Sequence, residues 1–292
     1  MSPMSPTDPA APFRAPPDRL IPVDQGEVAY RRFGRGPDVL FVHGWPVSGA
    51  TFRQLIPHLA PHVTCHVVDL PGAGDSRYAA DARLSVDNHV RSVVRVIDAL
   101  GLTSVAVVGH DSGGLIARHA LGRDPRLRAL GLVNTEHLAP LSWRFRAFLL
   151  PRYLPGFGAF LGWAVGQRWL RRSKLLLGDA FVDPSRLDGD FDRFFLQPLH
   201  RDRARLAAAI RILRSFDLDL VRQLGALHRE IRVPVQMVWG DRDPFFPLPR
   251  AVEMAASFPD ARLHVVAGGG LFVHEEHPEE VARALLPTLS AV

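Results

Sequence analysis

The sequence is poor in residues that mark several classes of protein. It has one cysteine, Cys65, among 292 residues, so an internal disulfide is excluded and a reducing compartment, the cytoplasm, is the expected location. It has one lysine, Lys174, so nearly all of its 35 basic residues are arginines, and these are not gathered in one dense stripe. Because 30 acidic residues nearly balance them, we expect no nucleic-acid partner.

Long apolar runs are also lacking. The most apolar stretch, residues 148–170, contains Arg152 together with Pro151 and Pro155, which is atypical of a membrane span. We therefore expect no membrane partner and interpret this stretch as a pair of buried helices. Residues 1–19 are rich in proline and contain no apolar core of a signal peptide, so we expect a disordered leader.

The remaining chain alternates between two kinds of pattern. Apolar runs typical of strands and periodic segments typical of helices follow one another, which predicts an α/β fold with a mostly parallel central sheet flanked by helices. The predicted strands are 27–33, 38–44, 63–70, 104–111, 127–135, 233–240 and 261–269. The predicted helices of this part are 50–60, 85–101, 248–258 and 277–289.

One segment interrupts the alternation. Residues 137–226 are helical in pattern, rich in arginine and dotted with proline and glycine. We interpret 20–136 and 227–292 as one α/β core, and 137–226 as a helical cap inserted into it.

The sharpest local signal is VVGHDSGG, residues 107–114, between a predicted strand and a predicted helix. A nucleophile on a sharp turn needs small residues two positions before and after it, because neighbouring backbone passes close by. Centring the turn on Asp111 places Gly109 and Gly113 there. Centring it on Ser112 places His110, which is not small, two positions before the nucleophile. This disfavours a serine nucleophile.

Four motifs together carry a family resemblance. HGWP (43–46), PGAGDS (71–76), GHDSGG (109–114) and WGDRDPFFP (239–247) occur in the order and spacing of the α/β-hydrolase superfamily. The match covers residues 20–290, with the cap at the family's usual place. An aspartate on the turn resembles the branch that includes haloalkane dehalogenases and epoxide hydrolases.

The resemblance implies a two-step reaction at Asp111. The carboxylate would attack a saturated carbon, expel halide or open an epoxide, and leave a covalent ester. A water activated by a histidine would then hydrolyse that ester. The backbone amides of Trp45 and Ser112 would form the oxyanion hole, with His43 in the same HGWP motif as a binding-site residue.

The positions of the orienting acid and of the base match the family pattern less closely. The resemblance places the orienting acid at Asp243, and Glu136 occupies the alternative position used by some dehalogenases. The base would follow the last strand, but that position is Leu271, which cannot accept a proton. Either His274, one helical turn on, replaces it, or His277 does, or ester hydrolysis is lost.

Few residues of the sequence indicate a specific substrate. Ser112 stands where haloalkane dehalogenases usually carry tryptophan, and Tyr153 is the one cap tyrosine where epoxide hydrolases usually have two, so each specific activity lacks one or more of its usual residues. The cap tryptophans at 143, 163 and 169 could line an apolar pocket. We expect a hydrolase acting on a small apolar organic substrate, a halide or an epoxide, without cofactor or metal, as a monomer or homodimer. The alternative is a non-hydrolytic protein of the same fold: a ligand-binding protein, a lyase or an isomerase.

Overall fold

The computed structural model describes residues 8–79 and 81–291. In this part of the chain nine strands form one sheet, in the order β1-β2-β4-β3-β6-β7-β8-β9 with β5 paired to β2. Strands β3, β4 and β6 to β9 are mutually parallel, whereas β1 and β5 pair antiparallel with β2, and β2 with β4. The predicted α/β architecture is therefore confirmed. The strands are β1 Arg19–Val23, β2 Gly26–Gly34, β3 Asp38–Val42, β4 Thr64–Asp69, β5 Arg77–Tyr78, β6 Val105–His110, β7 Leu127–Val133, β8 Val235–Gly240 and β9 Ala261–Val266.

Helices cover the sheet and fill the gap between β7 and β8. We call α5 to α10, which all lie in that gap, the inserted helices. The helices are α1 Ala11–Arg14, α2 Ile56–Leu59, α3 Val86–Leu100, α4 Ser112–Leu121, α5 Trp143–Leu149, α6 Phe157–Gly166, α7 Arg168–Arg171, α8 Gln197–Arg201, α9 Arg203–Arg214, α10 Leu218–Glu230, α11 Leu248–Ala255, α12 Val273–Glu276 and α13 Pro278–Leu289.

The burial of the central strands accounts for their apolar sequences. Every residue of β4, β6 and β8 is buried, as expected for parallel strands covered on both faces. Helix α3 begins where the Oγ of Ser85 accepts a hydrogen bond from the N–H of Asn88, at 3.3 Å. It ends at Gly101, which has a φ of 66°, the left-handed conformation that favours glycine.

The helix predicted over 50–60 is broken in the structure. A 3-10 turn spans Gly49–Phe52, and α2 begins only at Ile56. Pro57 lies in the first turn of α2, where its missing N–H costs nothing. A proline inside one continuous helix would have removed a hydrogen bond, so the segment divides.

The N-terminal segment differs from the predicted disordered leader. Residues 8–19 include α1, and Phe13 is buried, with its ring centroid 5.4 Å from that of Phe33. Apolar burial thus orders this part of the proline-rich segment, and the prediction is wrong for it. Residues 1–7 lie outside the described residues.

The last inserted helix lies against the core. In α10, the carbonyl of Leu220 accepts a hydrogen bond from His119, and His228 accepts one from Arg118. The predicted domain boundary at residue 226 therefore falls inside a helix that packs on α4.

The predicted pair of buried helices over 148–170 is only partly buried. Leu149 and Leu161 are buried, whereas Leu150, Leu154 and Phe160 are exposed. In the part of the chain that the structure describes, no helix combines the length and apolarity needed to cross a bilayer.

Candidate active site

Asp111 occupies a strained turn between β6 and α4. Its φ of 50° and ψ of −138° are unusual for a residue with a side chain. The turn closes only because its neighbours are glycines. A Cβ on Gly109 would lie 2.5 Å from the Cα of Gly114, and one on Gly113 would lie 2.1 Å from the carbonyl oxygen of Val42. The small residues expected around Asp111 are therefore sterically required.

Two backbone amides hold the carboxylate of Asp111. The N–H of Trp45 donates to Oδ2 at 3.1 Å, and the N–H of Ser112 donates to the same carboxylate. Gly44 allows this approach, because a Cβ there would lie 2.5 Å from the Cβ of Asp111. The two amides predicted as oxyanion donors thus converge on Asp111.

The carboxyl of Asp111 is an unusually weak acid. Burial raises its pKa well above the ordinary value, and the nearby carboxylate of Glu136 raises it further. The Trp45 and Ser112 amides lower the pKa in part, since they stabilise the ionised form. Nucleophilic attack needs that ionised form, so the two amides favour reactivity and Glu136 opposes it.

Asp243 lies in the loop after β8 and is fully engaged in hydrogen bonds. Its Oδ1 accepts from the N–H groups of Phe245 and Phe246 at 2.8 and 3.1 Å, and its Oδ2 accepts from Nδ2 of Asn134 at 2.6 Å. Burial raises the pKa of Asp243 to about 6, and the Asn134 bond opposes that rise. The amide of Asn134 is thus the side-chain partner of the predicted orienting acid.

Glu136 lies beside Asp111 and is completely buried. Its Oε2 accepts a hydrogen bond from Oγ1 of Thr135 at 3.0 Å, whereas its Oε1 has no hydrogen-bond partner among the described residues. Burial raises the pKa of Glu136, and the guanidinium of Arg118 opposes that rise. One of its oxygens is therefore available to a proton or a ligand in the cavity.

Leu271 faces the same cavity as Asp111 and Glu136. Its side chain is 6% exposed, and its carbonyl oxygen accepts a hydrogen bond from Nε2 of His110 at 3.0 Å. A hydrocarbon side chain cannot activate water, so this position of the cavity wall offers no base.

His274 does not take the place of the base. It is absent from the cavity lining and fully buried, with Nε2 2.9 Å from Oγ1 of Thr51. Its ring packs 5.4 Å from Phe52 and 4.3 Å from His110. The prediction that His274 activates water is therefore wrong: the ring lies behind the cavity wall, and burial and the neighbouring His110 lower its pKa well below the ordinary value.

Two other predicted histidines also make hydrogen bonds within the protein. His43 donates from Nδ1 to the carbonyl of Gly44 and accepts at Nε2 from the N–H of Leu70, both at 2.8 Å. With both nitrogens occupied and burial lowering its pKa to about 4, His43 offers no free polar atom to a substrate, although it lines the cleft that adjoins the cavity. His277 lies with Nε2 3.4 Å from the carbonyl oxygen of Gly268, outside the cavity.

The aromatic residues predicted from the inserted segment lie outside the cavity. Tyr153 is 62% exposed, and its hydroxyl donates to the carbonyl of Arg214. Trp143, Trp163 and Trp169 are likewise exposed. None of the four lines the cavity around Asp111, although Trp143 lines a separate apolar groove on the inserted helices.

Other apolar residues close the cavity around Asp111. The cavity has a volume of only about 50 Å³. The indole N–H of Trp45 is unavailable to a ligand, because it donates to the carbonyl oxygen of Ala209. A larger cleft of about 350 Å³, whose lining includes several charged residues, adjoins the cavity and shares Trp45, Pro46, Ser112 and Ile212. The apolar lining residues are Trp45, Pro46, Val86, Phe145, Phe148, Leu149, Leu177, Ile212, Leu213, Phe216, Phe245, Phe246, Leu271 and Phe272.

Sequence reasoning missed three residues that organise the site. Asn134 has a positive φ of 33° and bonds Asp243, and the hydroxyl of Thr135 lies 2.7 Å from the carbonyl oxygen of Asp111. Arg118 is completely buried and donates to Oγ1 of Thr135 and the carbonyl of Glu136. Their only sequence signal is position: two follow β7 directly, and one lies on the helix after the turn.

Comparison with known proteins finds a family model and relatives that match most of the chain. The model of the Alpha/beta hydrolase family matches residues 39–284. A haloalkane dehalogenase of Mesorhizobium japonicum is 28% identical over 302 aligned residues, covering 99% of this chain and 96% of the relative. A pimeloyl-acyl-carrier-protein methyl ester esterase of Stenotrophomonas maltophilia is 30% identical over 263 residues, covering 89% and 95%.

The fold is also found among solved structures. The crystal structure of an alpha/beta hydrolase fold protein from Burkholderia ambifaria superposes with a TM-score of 0.77 at 25% identity, covering 92% of this chain and 97% of that chain. The predicted fold is confirmed, and the match extends over the segments that carry Asp111 and Asp243.

Proposed function

This chain belongs to the alpha/beta hydrolase family, and we propose that it opens carbon–halogen or epoxide carbon–oxygen bonds through a covalent ester on Asp111 whose hydrolysis is impaired. One observation carries the proposal. The amides of Trp45 and Ser112 converge on the carboxylate of Asp111, while Leu271 stands in the wall of the same cavity.

The first step is an in-line displacement. An oxygen of the Asp111 carboxylate forms a bond to a saturated carbon, and the carbon–halogen bond breaks with its electron pair leaving on the halide. No proton is transferred. An epoxide requires a proton on its departing oxygen, and Glu136 would donate it from the state in which the two carboxyls hold one proton between them, with Glu136 protonated and Asp111 ionised.

The second step lacks its usual catalyst. Hydrolysis adds water to the ester carbonyl and releases an alcohol, and a general base accelerates such a step by roughly 10²–10⁴-fold. The cavity wall carries Leu271 in place of a base, and the carboxylate of Asp243 is held by Asn134 and by backbone amides. We therefore propose that the ester persists.

The direct test is intact-protein mass spectrometry after incubation with small haloalkanes and epoxides, followed by peptide mapping. We expect an adduct on Asp111 that remains after the reagent is removed. Asp111→Asn is the matched control and should give none. Release of halide or diol at catalytic rates without an accumulated adduct would contradict the proposed impairment.

A second pair of variants separates impaired hydrolysis from loss of function. Leu271→His places an imidazole in the cavity wall, and we expect it to shorten the adduct lifetime by at least tenfold. Leu271→Met has similar volume and no proton acceptor, so its adduct should persist.

The non-hydrolytic alternative rests on a different observation. The cavity is small, almost wholly apolar and without a histidine among its lining residues, which fits ligand binding, a lyase or an isomerase. Absence of any adduct in the wild type and of any turnover in Leu271→His would favour this alternative.

A further inference from the structure

The inserted helices expose an unusual number of large apolar side chains. Of the twelve that are exposed in the described residues, eight lie between residues 143 and 175. Isolated exposed apolar residues are normal, but a concentration of them marks an interaction surface. The eight are Trp143, Leu150, Tyr153, Leu154, Phe160, Trp163, Trp169 and Leu175.

Several of these side chains form one continuous surface. Trp143, Leu154, Phe160 and Leu175 line a single open groove of about 1130 Å³, and the ring of Trp163 lies 6.1 Å from that of Phe160. We call these five residues the apolar groove. Trp143 is 73% exposed, Leu154 59%, Phe160 51%, Leu175 81% and Trp163 50%. The apolar groove is therefore open to solvent.

The segment around the apolar groove is basic in sequence, but four of its cations pair with carboxylates that follow it: Arg144 with Asp179, and Arg168, Arg171 and Arg172 with Asp188. Residues 137–178 contain seven basic and no acidic residues, whereas the rest of the chain has 28 basic and 30 acidic. Asp179, the acidic residue that lines the groove, is paired with Arg144, whose Nη2 lies 2.8 Å from Oδ1. Lys174 also lines the groove and is exposed, without a carboxylate partner among the described residues. Arg146, on α5, is exposed as well.

We propose that the apolar groove docks on the surface of an anionic lipid bilayer. Tryptophan and tyrosine are favoured at the boundary between headgroups and acyl chains, and basic residues beside them bind anionic headgroups. A second copy of the chain would bring the exposed cations Arg146 and Lys174 against their own copies. The sequence-based expectation of no membrane partner concerned a spanning segment, whereas this surface would lie on the bilayer.

The test is flotation of the full-length protein with vesicles. We expect binding to vesicles of equal parts phosphatidylcholine and phosphatidylglycerol, and at least tenfold weaker binding to phosphatidylcholine alone. Binding to the mixed vesicles should weaken as salt is raised from 50 to 500 mM, because salt screens the headgroup attraction.

Matched variants identify the surface that binds. Leu175→Ser should weaken binding about tenfold, whereas Val252→Ser, at another exposed apolar residue on α11, should leave it unchanged. Lys174→Gln should weaken binding about fivefold, and Arg283→Gln on α13 should have no effect. All four positions are exposed, so the fold should tolerate the changes.

Three outcomes would overturn the proposal. The first is equal affinity for mixed and neutral vesicles, and the second is mixed-vesicle binding that Leu175→Ser leaves unchanged. The third is no vesicle binding at all. In that case a dimer lost in Leu175→Ser would assign the groove to a second copy, and binding to soluble poly-glutamate that depends on Lys174 and Leu175 would assign it to an acidic protein. These readouts do not involve Asp111, so they are independent of the proposed reaction.

Discussion

At the scale of single residues, the two carboxyls of the cavity control each other. Because burial, and after it the carboxylate of Glu136, raises the pKa of Asp111, Asp111 is ionised only at a higher pH than an ordinary aspartate. Glu136→Gln removes the neighbouring negative charge, so we expect the pKa of Asp111 to fall and its ionised fraction at a given pH to rise. Alkylation of Asp111 should then become faster at the low-pH end of its profile.

The measurement is a carboxyl ¹³C NMR titration, with the Asp111 signal assigned by its loss in Asp111→Asn. The exposed Glu279→Gln is the control and should not move the midpoint. An Asp111 midpoint near 4 in the wild type, or one that Glu136→Gln leaves in place, would show that the two carboxyls are not coupled.

Sequence reasoning located Asp111 because the chain around it is sterically constrained, but it left open whether His274 reaches the cavity. The ambiguity has a physical cause. The three-residue spacing from Leu271 to His274 puts both on one face only in a continuous helix. In the structure α12 begins at Val273, and Phe272, with φ −91° and ψ 45°, turns the chain before it. The spacing therefore does not show whether the side chain of His274 faces the same way as that of Leu271.

At the scale of elements, the turn before α4 has no room for a side chain at its glycine positions. We expect Gly113→Ala to lower the free energy of unfolding by ~3 kcal/mol or more, because the added Cβ would lie 2.1 Å from the backbone oxygen of Val42. Gly158→Ala on α6 is the matched control: its Cβ would meet Ile210 at 3.4 Å, an ordinary contact. Urea denaturation of both variants checks this. Equal stability of the two would contradict the packing that holds Asp111 in place.

The core elements were predictable and the orientation of the inserted helices was not. Strands such as β6 are buried along their whole length, so an apolar run suffices to identify them. In α6, by contrast, nearly every residue is apolar, including the exposed Phe160 and Trp163 and the buried Leu161. A helix that is apolar all round has no polar face in its sequence to show which side meets water.

At the scale of the whole molecule, one buried ion pair joins segments far apart in the chain. Arg53, after the 3-10 turn that follows β3, donates to both carboxylate oxygens of Glu275 on α12, at 3.0 and 2.7 Å. Both side chains are 5% exposed, and Oγ1 of Thr51 donates to the same carboxylate. The pair therefore ties the segment that carries Leu271 to the loop that follows the HGWP motif.

We expect Glu275→Gln to lower the free energy of unfolding by about 3–5 kcal/mol, because it leaves the Arg53 guanidinium buried without its counter-charge. Glu279→Gln breaks an exposed pair with Arg283 and should have no measurable effect. In urea denaturation, adding Arg53→Met to Glu275→Gln should restore part of the loss, since no buried charge then remains unpaired. Strictly additive losses would mean that each residue acts through its own packing. The pair would then contribute nothing to the placement of α12, and the position of Leu271 in the cavity wall would have to depend on other contacts, such as the hydrogen bond from His110 to the Leu271 carbonyl and the stacking of Phe272 on Phe181.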